Sequence, residues 1–139
     1  MILDNNAGTY KLGSYLHTAL ENYGVYLLGE KRLDNIGLFG QVAWAPKSKN
    51  EIYSQIDAGI NLYHLFFDDR EDALGFAITA NLLEKMVNNH ETVIELTYKL
   101  PVYGNFYVQP DFQYVINPSG AGVKLDDAFV AMVRFGFEL

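Results

Sequence analysis

Apolar and polar side chains alternate along most of the chain, and the pattern is clearest between residues 91 and 139. One segment there has an apolar residue at every second position: Ile94, Leu96, Tyr98 and Leu100. The residues between them, Glu95, Thr97 and Lys99, are polar. Because successive side chains of a β-strand point to opposite faces, this period of two predicts a strand with one apolar and one polar face.

Two further strands in this region show the same alternation. The second strand follows a tight turn and places Asp111 and Phe112 on opposite faces. A longer break at Asn117–Gly122 separates it from the third strand, which places Arg134 and Phe135 on opposite faces. Both strands are therefore predicted to have an apolar and a polar side, like the first.

Five more strands are predicted upstream from the same pattern: Tyr10–His17, Gly24–Lys31, Ile36–Ala45, Ile52–Tyr63 and Ala73–Leu82. Residues 5–9 are predicted to be a loop, and Thr18–Tyr23 a loop with at most one helical turn. Ile78–Val87 also fits a short amphipathic helix by propensity, but the unbroken alternation from Leu74 favours a strand. The chain is thus predicted to be all-β, one segment of residues 1–139 with eight antiparallel strands connected up and down.

The alternation leaves the environment of the apolar face open. In a soluble sandwich this face packs into a protein core, whereas in an outer-membrane barrel it faces lipid and the polar face lines the interior. The predicted strands run about ten residues, the length that a tilted strand needs to cross a bilayer. Strands of soluble proteins usually have about five or six residues. Strand length and the alternation of tight turns with longer loops favour a transmembrane β-barrel.

Composition limits the possible functions. The 139 residues include no cysteine, which excludes a disulfide framework and a thiolate metal site. The net charge of −7 argues against nucleic-acid binding, because phosphate contacts need lysine and arginine. No apolar run approaches the ~18 residues of a membrane helix. Ten tyrosines, nine phenylalanines and one tryptophan are consistent with the aromatic girdles of a barrel.

No catalytic constellation is recognisable, so the chain is not predicted to be an enzyme. His17, His64 and His90 are far apart in sequence and are expected to be solvated or interfacial rather than metal ligands. Glu95 and Asp111 fall on the polar faces of adjacent strands, but a glycosidase pair needs a raised pKa on one carboxyl and a defined separation. Neither a metal nor a cofactor is predicted.

Several motifs resemble those of one known family. The segments Glu91–Tyr98 (ETVIELTY) and Val108–Pro118 (VQPDFQYVINP) resemble the C-terminal signature of the OprB-type carbohydrate-selective porins. Gly37–Pro46 (GLFGQVAWAP) resembles a repeated strand of that family, and Asp57–Asn61 and Tyr10–Thr18 also fit its pattern. The similarity extends over nearly the whole chain.

The resemblance implies a bacterial outer-membrane porin that admits monosaccharides and similar small polar solutes by passive diffusion. It implies a barrel of about 16 strands, of which this chain supplies about half. Met1-Ile2-Leu3 leads into polar residues without a signal sequence, so we expect the C-terminal half of a longer protein. The expected partners are sugars, outer-membrane lipids, the N-terminal half of the barrel and, in a homo-oligomer, further copies.

The polar positions of the predicted strands are the candidate pore-lining residues. Carboxylates, amides and arginine exchange hydrogen bonds with sugar hydroxyls, and weak repeated contacts let a solute enter and leave. The candidates are Lys11, Gln41, Gln55, Asp57, Asn61, Asn81, Glu95, Lys99, Gln109, Asp111, Gln113 and Arg134. The alternative for each is a structural role, in which acidic and basic neighbours form cross-strand ladders that stiffen the wall.

Two other architectures remain open. The strand Tyr10–His17 could pair with Phe129–Leu139 and close an eight-stranded structural barrel without transport, whose interior its own side chains fill. A soluble ligand-binding barrel would instead turn the apolar face inward. Phe112 and Phe135 distinguish these possibilities, because they face lipid in either membrane barrel and pack in a dry centre in the soluble one.

The two ends of the strands are also assigned, on the assumption that the last strand descends to the periplasm. The turns predicted on the periplasmic side are residues 32–35, 67–72 and 103–105. The loops predicted on the outer side are residues 18–22, 46–51, 84–90 and 117–127. The longer connections thus fall mainly at the outer end, as in outer-membrane barrels.

Overall fold

The computed structural model describes residues 2–5, 8–67, 70–84, 88–119 and 123–137. Within these ranges the chain forms nine β-strands and one short 3-10 helix. The strands are β1 (Ile2–Asn5), β2 (Gly8–His17), β3 (Asn22–Leu33), β4 (Ile36–Trp44), β5 (Ile52–Tyr63), β6 (Ala73–Leu83), β7 (His90–Tyr103), β8 (Phe106–Ile116) and β9 (Ala128–Phe137). No helix in the described part of the chain is long and apolar enough to cross a membrane.

All nine strands form one sheet in the order of the sequence, and each strand is antiparallel to the next. This up-and-down connectivity confirms the predicted all-β architecture, and all eight predicted strands are present. The sheet is open in the described residues, with β1 and β9 at its two edges. The pairing of Tyr10–His17 with the last strand, which the self-closed barrel requires, is therefore not observed there.

The short N-terminal strand corrects the sequence analysis. Residues 5–9 were predicted to be a loop, but Asn5 pairs with Gly8 at the end of a β1–β2 hairpin. Gly8 adopts a φ of +137°, which side-chain-bearing residues rarely adopt. Alternation did not reveal β1 because four residues are too few to show a period of two.

Two ambiguous segments are resolved by the backbone. Thr18–Leu20 forms a 3-10 turn, in which the Leu20 N–H donates to His17 Nδ1 at 3.2 Å. The segment that also fitted a helix is strand through Leu83, and residues 85–87 lie outside the described ranges. The alternation from Leu74 therefore predicted this segment correctly.

The apolar side chains do not form a core of their own. Among the described residues, the buried hydrophobic side chain is Leu83, at 4% exposure. Phe112 and Phe135 are 45% and 67% exposed, on a face where apolar residues of every strand from β2 to β9 lie side by side. Within the described sheet neither ring is packed in a dry centre, as the soluble barrel would require.

Aromatic rings lie over glycines on neighbouring strands and fix the sheet's register. Tyr26 pairs with Gly13, and a Cβ atom at that glycine would overlap the tyrosine ring. Phe39 covers Gly59 in the same way. Slipping the register by one residue would place a ring over a side chain and would also exchange the two faces of the strand.

The turn between β5 and β6 is pinned to β7 by a buried carboxylate. Asp72 Oδ2 accepts hydrogen bonds from the Phe66 N–H at 3.1 Å and from the Tyr98 hydroxyl at 2.8 Å. Burial raises the pKa of Asp72, but hydrogen bonds from Tyr98 and from the backbone of Phe66, Phe67 and Asp72 outweigh it, and the pKa lies below its ordinary value of 3.8. The ionised carboxylate therefore holds the turn in place at neutral pH.

Candidate pore-lining face

The sheet has two chemically different faces. Residues directly opposite one another in an antiparallel pair share a face, so the register assigns each side chain. Gln41 opposes Asp57, and Asp57 opposes Thr79 on the next strand. We call the side that carries these residues the polar face and the opposite side, which carries Phe76 and Leu96, the apolar face.

All twelve candidate residues lie on the polar face. Lys11 is on β2, Gln41 on β4, Gln55, Asp57 and Asn61 on β5, Asn81 on β6, Glu95 and Lys99 on β7, Gln109, Asp111 and Gln113 on β8, and Arg134 on β9. Within each strand the candidates share a face because side chains alternate with a period of two. Between strands they share it because the register is continuous over most of the sheet. The structure thus places on one face residues that are more than a hundred positions apart in the sequence.

An ion cluster crosses strands β7 to β9 on this face. Arg134 donates to Asp111 Oδ2, and its Nη2 lies 3.6 Å from Glu95 Oε1. Asp111 is fully buried, and its Oδ1 has no hydrogen-bond partner in the described part of the chain. A single guanidinium thus links two carboxylates across three strands, the ladder arrangement that stiffens a sheet.

A second polar cluster surrounds Asp57. The Gln55 amide donates to both carboxylate oxygens, at 3.0 and 2.9 Å, and Thr79 Oγ1 donates to Oδ1 at 2.6 Å. These contacts hold the carboxylate in one position beside Gln41, its partner on β4. Asp57 can therefore accept a further hydrogen bond from a solute without having to reorient.

Asp57 borders a shallow depression of about 320 Å³ on the polar face. The depression extends from β3 to β7, between Leu28 and Phe39 on one side and Glu95 and Thr97 on the other. A second depression, of about 390 Å³, adjoins it at Phe39 and Asn61 and continues toward the turn that joins β3 and β4. The two form one path along the strands, lined by amide, carboxylate, hydroxyl and aromatic groups.

Two residues of β3 and β4 on this face were missed by the sequence analysis. Phe39 was not a candidate because an aromatic residue counts as apolar. It lies two positions from Gln41, however, and this spacing in the sequence already places both residues on the same face of the strand. Glu30 lies on β3, where Tyr26 and Leu28 share its face, so alternation alone does not assign that face as polar. Pairing of Glu30 with Phe39 now assigns that face as polar.

The loop after β8 is tied to the polar face of β7. Glu91 Oε2 accepts from the Ser119 N–H at 2.8 Å and from its hydroxyl at 3.1 Å. Glu91 Oε1 accepts from the Asn81 amide at 3.2 Å. Asn117 also contacts His90, with 2.9 Å between the amide nitrogen and Nε2. Glu91, which was not a candidate, thus joins two strands and a loop at one end of the sheet.

Metal-binding groups do not cluster in the described part of the chain: no set of three or more histidine and carboxylate residues is placed to hold an ion. His17 caps the 3-10 turn and His90 contacts Asn117. Glu95 and Asp111 share Arg134 as an ion-pair partner. The described polar side chains thus form hydrogen-bonded and ion-paired contacts along the sheet.

A family model described as carbohydrate-selective porin, OprB family, matches residues 4–139. The match begins within β1 and includes every other strand of the sheet. No curated protein and no solved structure gives a match.

Proposed function

The chain belongs to the OprB family of carbohydrate-selective porins, and from this we propose that it forms part of the wall of an outer-membrane channel through which monosaccharides and similar small polar solutes diffuse. Porins of this family are bacterial outer-membrane proteins, so we place the chain there. The proposed activity is passive, and the twelve candidate residues face the water-filled interior.

The observation that carries this proposal is the division of one sheet into an exposed apolar face and a hydrogen-bonding polar face. An apolar surface that extends over eight strands is unfavourable in water, at about 25 cal/mol for each Å². Facing lipid removes that cost, and strands of ten to fourteen residues, such as β2 and β7, are long enough to cross a bilayer. The polar face then meets water within the channel.

The open edges favour a larger barrel over a self-closed one. In lipid, unpaired backbone groups on β1 and β9 would each cost several kcal/mol, roughly the value for a polar group buried without a partner. We propose that further strands pair with both edges, as the N-terminal half of the barrel would. Homo-oligomer formation stays a prediction, as does the placement of the loop after β8 on the outer side.

Reconstitution of the native protein, purified from outer membranes, tests the proposal. Planar bilayers should show stable conductance steps in salt, and a monosaccharide should reduce the current in a concentration-dependent way as it occupies the channel. Heat-denatured protein is the control. Absence of conductance, or conductance that no monosaccharide changes, would contradict the proposal.

A further inference from the structure

Phe39 is placed to contact a solute on the polar face. Its ring covers Gly59, the residue opposite it on β5. It also borders the depressions on both sides of this position, and its side chain is half-buried. One face of the ring therefore packs against the strand, and the other is open toward the proposed channel.

Hydrogen-bonding groups flank the ring along the strand direction. Gln41 and Asp57 oppose each other one step toward one end of the sheet, and Asn61 lies one step toward the other end. Successive side chains on one face of a strand are about 6.6 Å apart, twice the rise per residue. The ring thus has an anchored carboxylate on one side and an amide on the other.

A glycine on β6 keeps the floor of the depression open. A Cβ atom at Gly75 would lie 2.7 Å from Thr97 Oγ1 and 2.9 Å from Asn61 Oδ1. Both distances are shorter than real contacts allow, so any side chain at this position would displace these polar groups. Gly75 thus maintains the space between Asn61 and Thr97.

These features match the chemistry of a pyranose sugar. One side of such a ring presents C–H bonds, which pack against the electron-rich face of an aromatic ring, while hydroxyl groups project from its rim. Carboxylate and amide oxygens accept from these hydroxyls, and amide N–H groups donate to them. An aromatic face with polar groups on both sides therefore suits a neutral sugar better than an ion.

We propose that Phe39, with Asp57 and Asn61, forms a contact site for a single pyranose on the channel wall. This inference rests on the proposed porin function and extends it by assigning one position at which the sugar rests. The site is shallow and open, so binding is weak and the sugar is released along the path to the adjoining depression.

Current measurements with glucose test the site in the native protein. We expect Phe39→Ala to raise the glucose concentration for half-maximal current block by about three- to tenfold, because a ring contact contributes about 0.5–1.5 kcal/mol. Phe39→Tyr should keep the wild-type value. Tyr107→Ala is the matched control, since Tyr107 also covers a glycine, Gly136, on the polar face but lies outside this depression.

Two further variants cover the case in which Phe39→Ala fails to assemble. Gly75→Ala keeps the aromatic ring but displaces Asn61 and Thr97, and Asp57→Asn keeps the shape of the side chain and removes the charge. Both should weaken the glucose block, measured for each variant relative to its own salt current without sugar. Assembled variants that all block like wild type would overturn the site but leave the porin function intact. A wild-type protein without sugar-sensitive conductance would instead contradict the porin function itself.

Discussion

At the scale of single residues, neighbours in one strand meet different surroundings. Ile60 lies on the apolar face of β5 and Asn61 on the polar face, one position apart. Asp72 shows the same dependence on surroundings in a turn, because its ionised state relies on hydrogen bonds from Tyr98 and from nearby backbone. The facing of residues 60 and 61 and the ionised state of Asp72 can each be tested by a direct measurement.

Cysteine labelling distinguishes the two faces, and the 139 residues contain no other cysteine that would compete for the label. In native protein in bilayers, Asn61→Cys should react with a small water-soluble maleimide, while Ile60→Cys should react at least about tenfold more slowly because its thiol faces lipid. Mass spectrometry of the labelled protein gives both rates. Equal rates, or the reverse order, would contradict the assignment of the faces.

The stabilisation by Asp72 depends on pH in a defined direction. Its folded pKa is lower than the ordinary value of 3.8, so its contribution is fully present above that value and is lost as the pH falls through the lowered pKa. Asp72→Asn should therefore lower the unfolding temperature at pH 7, and the difference from wild type should shrink below pH 3.8. Thermal unfolding in detergent measures both.

Tyr98→Phe serves as the matched control for Asp72, because it removes one hydrogen bond and leaves the carboxylate in place. A smaller loss of stability at pH 7 is expected than for Asp72→Asn. A difference between Asp72→Asn and wild type that does not change with pH would contradict the prediction, because it would show that folding does not shift the pKa of this carboxyl.

At the scale of elements, the sequence predicted the long strands and, except for β3, their facing, but not the contacts between a strand and a loop. Period-two alternation is a local signal, so β5 and β8 were recognised from their own residues. The contact of Phe39 with Gly59 depends on the register between two strands, and the contact of Glu91 with Ser119 depends on the path of a loop. Neither can be predicted from the residues of one segment alone. The four-residue β1 was missed because it is too short to show alternation.

The loop after β8 should move more freely when its contacts with β7 are removed. Glu91→Gln weakens two hydrogen bonds that its carboxylate accepts from Ser119, each worth about 1.5–3 kcal/mol for a charged acceptor, whereas Ser119→Ala removes only the hydroxyl contact. We expect more frequent current fluctuations in both variants, with the larger effect for Glu91→Gln. Single-channel recordings give the frequencies.

Ser48→Ala is the control for these two variants, since Ser48 lies in a different loop, the connection between β4 and β5. Its current should fluctuate as often as that of the wild-type protein. Wild-type behaviour of both Glu91→Gln and Ser119→Ala would show that the loop is held by other contacts.

At the scale of the whole molecule, the described strands form an open sheet with β1 and β9 at its edges rather than a closed barrel. The family match fits this, because it assigns the chain to porins, and the twelve candidates share one face of the wall. The sequence predicted this division into faces. It did not predict which polar residues would contact one another, because ion pairs such as Arg134 with Asp111 join strands through a register that side-chain alternation leaves unspecified.

Cross-linking tests whether the edges pair with each other. Leu3→Cys with Val133→Cys places thiols on β1 and β9, and a short bifunctional reagent should give no link between them in the native protein. Leu12→Cys with Leu27→Cys should link readily, because these residues oppose each other on β2 and β3. An efficient link between β1 and β9 of the same chain would support the self-closed barrel instead.

The exposed apolar face has a consequence for how the protein acquires its structure. A water-soluble domain buries its apolar groups in a core, and this collapse supplies the drive for folding without any binding partner. In the proposed barrel those groups lie on the outside, where the bilayer would supply the same drive. We therefore expect that acquiring the native shape and entering the membrane are one event, and that a chain kept in aqueous solution has no stable resting form.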